Sequence, residues 1–149
     1  LKVRNESGRA RRLSTTGYVE WVLGDLRPKS TMHVITQIDP LSGAFYARNA
    51  YSTEFADRIA FFDVDEMTRT FSGDRAEFVG RNGTLRNPAA MTRSHLSNKV
   101  GAALDPCAAI QVALELADGS RLRLEQGAAR RVLGQVHEAA GDQHLAAGP

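Results

Sequence analysis

Residues 13–23, LSTTGYVEWVL, alternate in character with a period of two, and that alternation limits the folds open to this chain more than any other feature. Successive side chains of an extended strand point to opposite faces. Leu13, Thr15, Gly17, Val19, Trp21 and Leu23 therefore share one side, and Ser14, Thr16, Tyr18, Glu20 and Val22 the other. The β-branched and aromatic content fits a strand better than a helix. The same period returns in residues 110–116, IQVALEL, which places Ile110, Val112, Leu114 and Leu116 inward and Gln111, Ala113 and Glu115 outward.

Around these two segments the chain reads as a series of short strands and turns. Residues 1–5 alternate, and 6–12 (ESGRARR) read as a turn about Gly8, so the first strand is expected to form a hairpin with 13–23. Gly24 and Pro28 break the pattern. A strand is expected over 31–38, with Met32, Val34, Thr36 and Ile38 on one side and His33 on the other as a partly exposed sheet residue. Asp39-Pro40-Leu41-Ser42-Gly43 is a turn, because Pro40 presets its φ and Gly43 gives freedom at the exit. A second hairpin into 44–47 follows. Residues 48–57 read as a loop, and 58–64 (RIAFFDV) as a central strand, apolar on both faces. A short strand over 67–71, a turn at Ser72-Gly73-Asp74, and strand-like residues 75–79 come next. Residues 84–98 are irregular, with a helical turn near 89–93. Asp118-Gly119 predicts a hairpin with a return strand at 121–124. From Gln126 the chain turns alanine- and glycine-rich, which suits a peripheral helix or a disordered tail. The expected architecture is all-β: an antiparallel β-sandwich over 1–125, with a barrel as the alternative, and a helix or tail over 126–149.

Composition excludes several classes. A length of 149 residues suits one domain, and a net charge of +2 is too small for a surface that tracks phosphates. Arg9, Arg11 and Arg12 are the densest basic cluster, but no aromatic residue interleaves with them, so they read as a solvated turn and not a nucleic-acid site. No apolar run approaches the roughly 20 residues of a membrane span, and no signal peptide is visible. The chain starts without methionine and inside a strand-like pattern, as a piece of something longer would. The single cysteine, Cys107, favours a reducing compartment, and it reads as a buried structural thiol because no histidine is near it in sequence. Trp21, on an apolar face, reads as a core anchor.

The chemistry-bearing candidates are few. Asp63, Asp65 and Glu66 can be taken as a carboxylate pair or as ordinary strand-end carboxylates in a turn; the further ligands and the glycine of a calcium loop are missing. None of His33, His95, His137 and His144 stands at metal-ligand spacing with another ligand. Residues 77–91, EFVGRNGTLRNPAAM, hold the strongest tight-turn dipeptide, Asn82-Gly83. No GK[ST] ending follows, so this is not a phosphate-cradling loop. In the loop Arg81-Asn82-Gly83-Thr84, Arg81 and Asn82 carry donors suited to sugar hydroxyls or an anion, and Gly83 allows close approach to the backbone. The residues alone leave two readings open, a ligand loop and a plain surface turn.

Residues 4–27 (RNESGRARRLSTTGYVEWVLGDLR), 33–39, 49–66 (NAYSTEFADRIAFFDVDE), 73–91 (GDRAEFVGRNGTLRNPAAM) and 101–119 (GAALDPCAAIQVALELADG) together resemble the amino-terminal sandwich of the cellobiose and chitobiose phosphorylase family, and more closely the phosphorylase-like region of bacterial cyclic β-1,2-glucan synthases. The resemblance implies part of a mutarotase-like super-sandwich. It implies that the general acid stands on a following α/α barrel, so no catalytic residue is assigned here, and that phosphate or water attacks the glycosidic bond. Inorganic phosphate is then a co-substrate of the parent enzyme, and no other cofactor is expected. A β-glucan oligosaccharide and the barrel are the implied partners, nucleic acid is not, and the implied location is the cytoplasmic side of a membrane-embedded parent. The sandwich is expected to lend a loop to the sugar site, which the match over 78–87 assigns to Arg81, Asn82, Gly83 and Thr84. Beyond Arg121 the sequence departs from the family, with only Gln126-Gly127 reminiscent of a GQG element.

Overall fold

The computed structural model describes residues 1–54, 56–124 and 126–130. Among these described residues nine strands form three sheets. β2 (Arg11–Glu20), β6 (Arg69–Asp74) and β7 (Pro106–Leu116) make a three-stranded sheet in the order β2-β7-β6. β3 (Val34–Ile38), β4 (Phe45–Asn49), β5 (Ile59–Val64) and β9 (Gln126–Arg130) make a four-stranded sheet in that order. β1 (Lys2–Arg4) and β8 (Arg121–Arg123) form a two-stranded ribbon. Every pairing between these strands is antiparallel.

The two larger sheets enclose the main core. The alternation read from the sequence fixes what each strand contributes: Val19 from β2 and Ala108, Ile110, Val112 and Leu114 from β7 meet Val34, Phe45, Ala47, Phe62 and Val64 of the facing sheet. Trp21, just past β2, is 1% exposed and joins this cluster, as its apolar face predicts. Phe45 stands edge-on to Phe71 of β6, with ring centres 6.1 Å apart. The sandwich is therefore present, and so is the β3–β4 hairpin. Its turn is closed by Asp39, whose carboxylate accepts the Ser42 N–H at 2.8 Å, and by Gly43 at φ +71°.

Several local expectations do not hold. β1 and β2 are not a hairpin: the intervening turn folds around the buried Asn5, whose amide donates to the carbonyls of Arg9 (2.7 Å) and Leu116 (2.9 Å), and β1 pairs with β8 instead. The return strand β8 likewise does not pair with β7; it pairs with β1, in the register Val3↔Leu122. Thr31–His33 is a 3-10 turn, so β3 begins at Val34, Met32 is 73% exposed, and His33 stacks on Tyr51 at 4.2 Å without entering a sheet. Ser72-Gly73-Asp74 is not a turn but the end of β6, with a register shift between Ser72 and Asp74. Gly73 is small there because an added Cβ would lie 2.7 Å from Thr36 Oγ1.

Residues 75–79 are helix α2 (Arg75–Val79) and not strand; Asp74 caps it by accepting the Ala76 N–H at 3.1 Å. Where Pro28 breaks the pattern stands a short helix α1 (Arg27–Ser30), with the proline in its first turn. Gln126–Arg130, expected to open a helix or tail, is strand β9 against β5. The rest of that expectation, 131–149 with His137 and His144, lies outside the described residues.

Candidate functional site

The outer face of the β2-β7-β6 sheet carries a second, smaller layer. α2, the loop after it and a 3-10 turn (Ala89–Thr92) lie across the first half of β7 and bury Phe78, Val79, Ala90 and Leu96 against Ala109. Tyr18 of β2 stacks on Phe78 with ring centres 4.4 Å apart. This covering explains why Gln111, read as outward, is buried like Cys107 on the same side of β7, whereas Ala113 and Glu115 farther along that side are exposed.

Glu77 anchors the layer. Its carboxylate accepts Ser72 Oγ at 2.6 Å, Ser97 Oγ at 2.5 Å and the Ser97 N–H at 3.2 Å, and pairs with Arg93 at 2.9 Å. Burial pushes the carboxyl's pKa up, but these hydrogen bonds and the Arg93 charge outweigh burial and hold it below the usual carboxylate range. A second polar cluster fixes the root of α2. Glu20 accepts from the Tyr18 hydroxyl (2.8 Å) and from Arg75 Nε (2.7 Å), and Arg27 bridges Glu20 and Asp105. Burial raises the Glu20 carboxyl, and Arg75, Tyr18 and Arg27 together bring it below its ordinary value. Burial, with a smaller push from the Asp105 charge, raises the Cys107 thiol far above its ordinary value. It is a protonated core thiol, as the sequence predicts, and not a nucleophile.

On this braced layer sits the loop predicted from sequence. Gly80 ends α2 at φ +81°, the Gly83 N–H bonds the Gly80 carbonyl at 3.3 Å, and Thr84 bridges to Asn87, whose N–H bonds the Thr84 carbonyl at 3.0 Å. Arg81, Asn82 and Thr84 are exposed. No side-chain hydrogen bond or ion pair ties any of the three to the described residues. The structure thus brings the three polar side chains together on one short loop and leaves their donors uncommitted. Gly83 has a different place: an added Cβ would lie 1.8 Å from the Val79 carbonyl oxygen, so this glycine admits the chain's own backbone. Residues 78–98 contain no Asp or Glu, while Arg81 and Arg86 both stand exposed on the loop. The site can donate hydrogen bonds and attract negative charge; it holds no carboxylate for acid–base chemistry.

The other candidates do not converge. Asp63 is ion-paired with Arg69, which also donates to the Val64 carbonyl, and Glu66 accepts the Thr68 N–H at 2.9 Å, so these are strand-end carboxylates. Among the described residues no three His, Cys, Asp or Glu side chains are grouped as metal ligands, and no helix is long and apolar enough to cross a membrane. Sequence reasoning missed Glu77 and the Glu20 cluster. For Glu77 the one available signal was an acid in the first turn after an Asp N-cap. For Glu20 there was none.

The family model of the glycosyl hydrolase 94 supersandwich domain matches residues 1–128. The cyclic beta-(1,2)-glucan synthase NdvB of Rhizobium meliloti (strain 1021) is 35% identical over 111 residues, which cover 74% of this chain and 4% of that protein. The chain spans a small fraction of the length of this curated relative.

Proposed function

The chain belongs to the glycosyl hydrolase 94 supersandwich family, and from that premise we propose that it is the non-catalytic sandwich of a β-glucan-processing enzyme, presenting residues 80–87 to a sugar site that an α/α barrel elsewhere in the parent completes. The observation that carries this reading is the uncommitted set Arg81, Asn82 and Thr84 on a loop whose support is fixed by Glu77. Freezing a loop costs conformational entropy, and here the fold has already met that cost while leaving the donors free for a ligand. Inverting cleavage needs an acid on one face of the sugar and a nucleophile on the other. The loop has no acid, so its part is to orient the sugar, with the acid coming from the barrel and phosphate or water as nucleophile. On this reading the parent is membrane-embedded with this domain on its cytoplasmic side, which the likeness to a cyclic glucan synthase supports.

The test is calorimetric titration of the chain with a β-1,2-linked gluco-oligosaccharide. Half a site is expected to bind in the millimolar range, a free energy of about 4 kcal/mol, and Arg81→Ala is expected to abolish the signal with the circular dichroism unchanged. Absence of binding by the wild-type chain, or undiminished binding by the variant, would sink the assignment of the loop.

A further inference from the structure

The chain has five asparagines, Asn5, Asn49, Asn82, Asn87 and Asn98, and the fold treats one of them differently. Asn5 and Asn49 are buried, and their amide nitrogens donate to main-chain carbonyls, Asn5 to Arg9 and Leu116 and Asn49 to Leu23. Asn98 accepts the Phe71 N–H at 3.0 Å. Asn87 precedes Pro88, which has no N–H. Asn82 is exposed, its side chain has no hydrogen bond among the described residues, and Gly83 after it has no side chain to shield the main-chain nitrogen. The hydrogen bond of that nitrogen, to the Gly80 carbonyl, is long at 3.3 Å.

We propose that Asn82-Gly83 is a self-modification site, at which Asn82 is converted to aspartate and isoaspartate through a cyclic imide at a rate set by the α2 layer. The Gly83 nitrogen attacks Asn82 Cγ. The N–Cγ bond forms, the Cγ–Nδ2 bond breaks, and the side-chain nitrogen leaves as ammonia with the Gly83 proton. Water then opens the ring. Opening at Cγ leaves aspartate at this position; opening at the main-chain carbonyl leaves isoaspartate, in which the chain runs through the side-chain carbons. The net change is amide and water to carboxylate and ammonium, with nothing oxidised or reduced. Arg81 and Arg86 favour the negatively charged addition intermediate, and residues 78–98 hold no Asp or Glu to oppose them.

Ring closure requires the Asn82-Gly83 peptide to rotate. In the closed layer Gly83 is packed so tightly that an added Cβ would stand 1.8 Å from the Val79 carbonyl oxygen. Attack therefore waits on opening of the layer, a local event above a standing sheet. The isoaspartyl product puts one more main-chain carbon at a seat with no room for a methyl group. The layer then cannot close as before, and the loop carries a carboxylate that it otherwise lacks. A transient opening becomes permanent.

This site is independent of the sugar reading, because conversion is read by mass whether or not an oligosaccharide binds. The test incubates the 149-residue chain at mildly alkaline pH and maps its peptides by mass spectrometry, with enzymatic methyl labelling to count isoaspartate. Asn82 should convert ahead of the other four asparagines, and more slowly in the native chain than in urea. Glu77→Gln weakens the hub that holds the layer closed and should speed native conversion about tenfold, the factor that matches one hydrogen bond to a charged group. Wild-type chain carrying isoaspartate should exchange its amide hydrogens faster over residues 80–92 and unchanged in β7. The comparison with urea and the exchange measurement use the wild-type chain, so they decide the matter even where the variant does not fold. No conversion at Asn82, earlier conversion of another asparagine, equal rates in the native and unfolded chains, a folded Glu77→Gln that converts at the wild-type rate, or unchanged exchange in the converted chain would each overturn the proposal.

Discussion

The two faces of β7 are both buried, but by different means. The inner face, Ala108, Ile110, Val112 and Leu114, meets apolar side chains from four other strands, and its cohesion is spread over two sheets. The outer face, Cys107, Ala109 and Gln111, lies under one excursion of the chain, fastened by a few specific contacts: the Glu77 hub, the Phe78–Tyr18 stack and the backbone approach at Gly83. A dispersed core resists the loss of any one contact but loses much when a large side chain goes, because the hole cannot collapse. A pinned layer can be released locally while the sheet beneath it stands. The inner face therefore sets whether the protein folds, and the outer face sets whether the loop is held.

Trp21 gives the largest test of that division. It is 1% exposed among residues of both sheets, so Trp21→Ala should cost about 3–5 kcal/mol, seen as a lowered urea midpoint with a single transition. A separate, earlier loss of the α2 layer in that variant would mean the two faces are not hierarchically related. Gly83→Ala comes next. Its methyl group would sit 1.8 Å from the Val79 carbonyl oxygen, and overpacking of this kind costs about 1–3 kcal/mol. Hydrogen exchange should speed up across residues 80–92 and stay unchanged in β7. Faster exchange throughout β7 would break the comparison.

The Glu77 hub makes a finer prediction, and its sign follows from the lowered pKa. A carboxylate whose folded pKa lies below its unfolded value contributes stability above the unfolded pKa and loses it as pH falls through the folded one. Protection of α2 should thus be constant near neutrality and fall as the pH drops below the ordinary carboxylate range, with the main core still protected just below the onset. Glu77→Gln should lower protection at neutral pH and flatten that part of the profile. Glu20 is shifted the same way at the root of α2, so the double variant with Glu20→Gln isolates what remains of the acid sensitivity. If the profile of Glu77→Gln matched the wild type, the hub would not be what fastens the layer.

The same division decides what the sequence made legible. β2, β7 and the β3–β4 hairpin are written in period-two alternation and in the turn chemistry of Asp39 and Gly43, which act over few residues. α2 is five residues long, too short to show a helical period, and its adjacent Phe78 and Val79 mimic a strand. Gln111 looked outward because the layer that buries it comes from a distant part of the chain, whose Arg93 carbonyl, 18 positions earlier, accepts from its amide. β9 has small side chains with weak strand preference, and pairing with β5 decides its state. Within the site, Asn82-Gly83 announced a turn, but the Glu20 cluster is closed by Arg75, 55 positions from Glu20, and by Asp105, 78 positions from Arg27. Contacts at such separations leave no local trace.

The smallest expected effect separates support from display. Arg81 and Asn82 rest on the pinned layer but have no side-chain bond to it among the described residues, so nothing in the fold depends on them. Arg81→Ala and Asn82→Ala should each change stability by no more than about 0.5 kcal/mol, the range of surface substitutions away from special features. Urea unfolding measures this directly, and the same variants should lose oligosaccharide binding. A stability loss well beyond that range would show that the arginine helps build the layer, and its effect on binding would then report loop order instead of contact. Unchanged stability with lost binding is the pattern expected of side chains that a fold holds ready for a ligand.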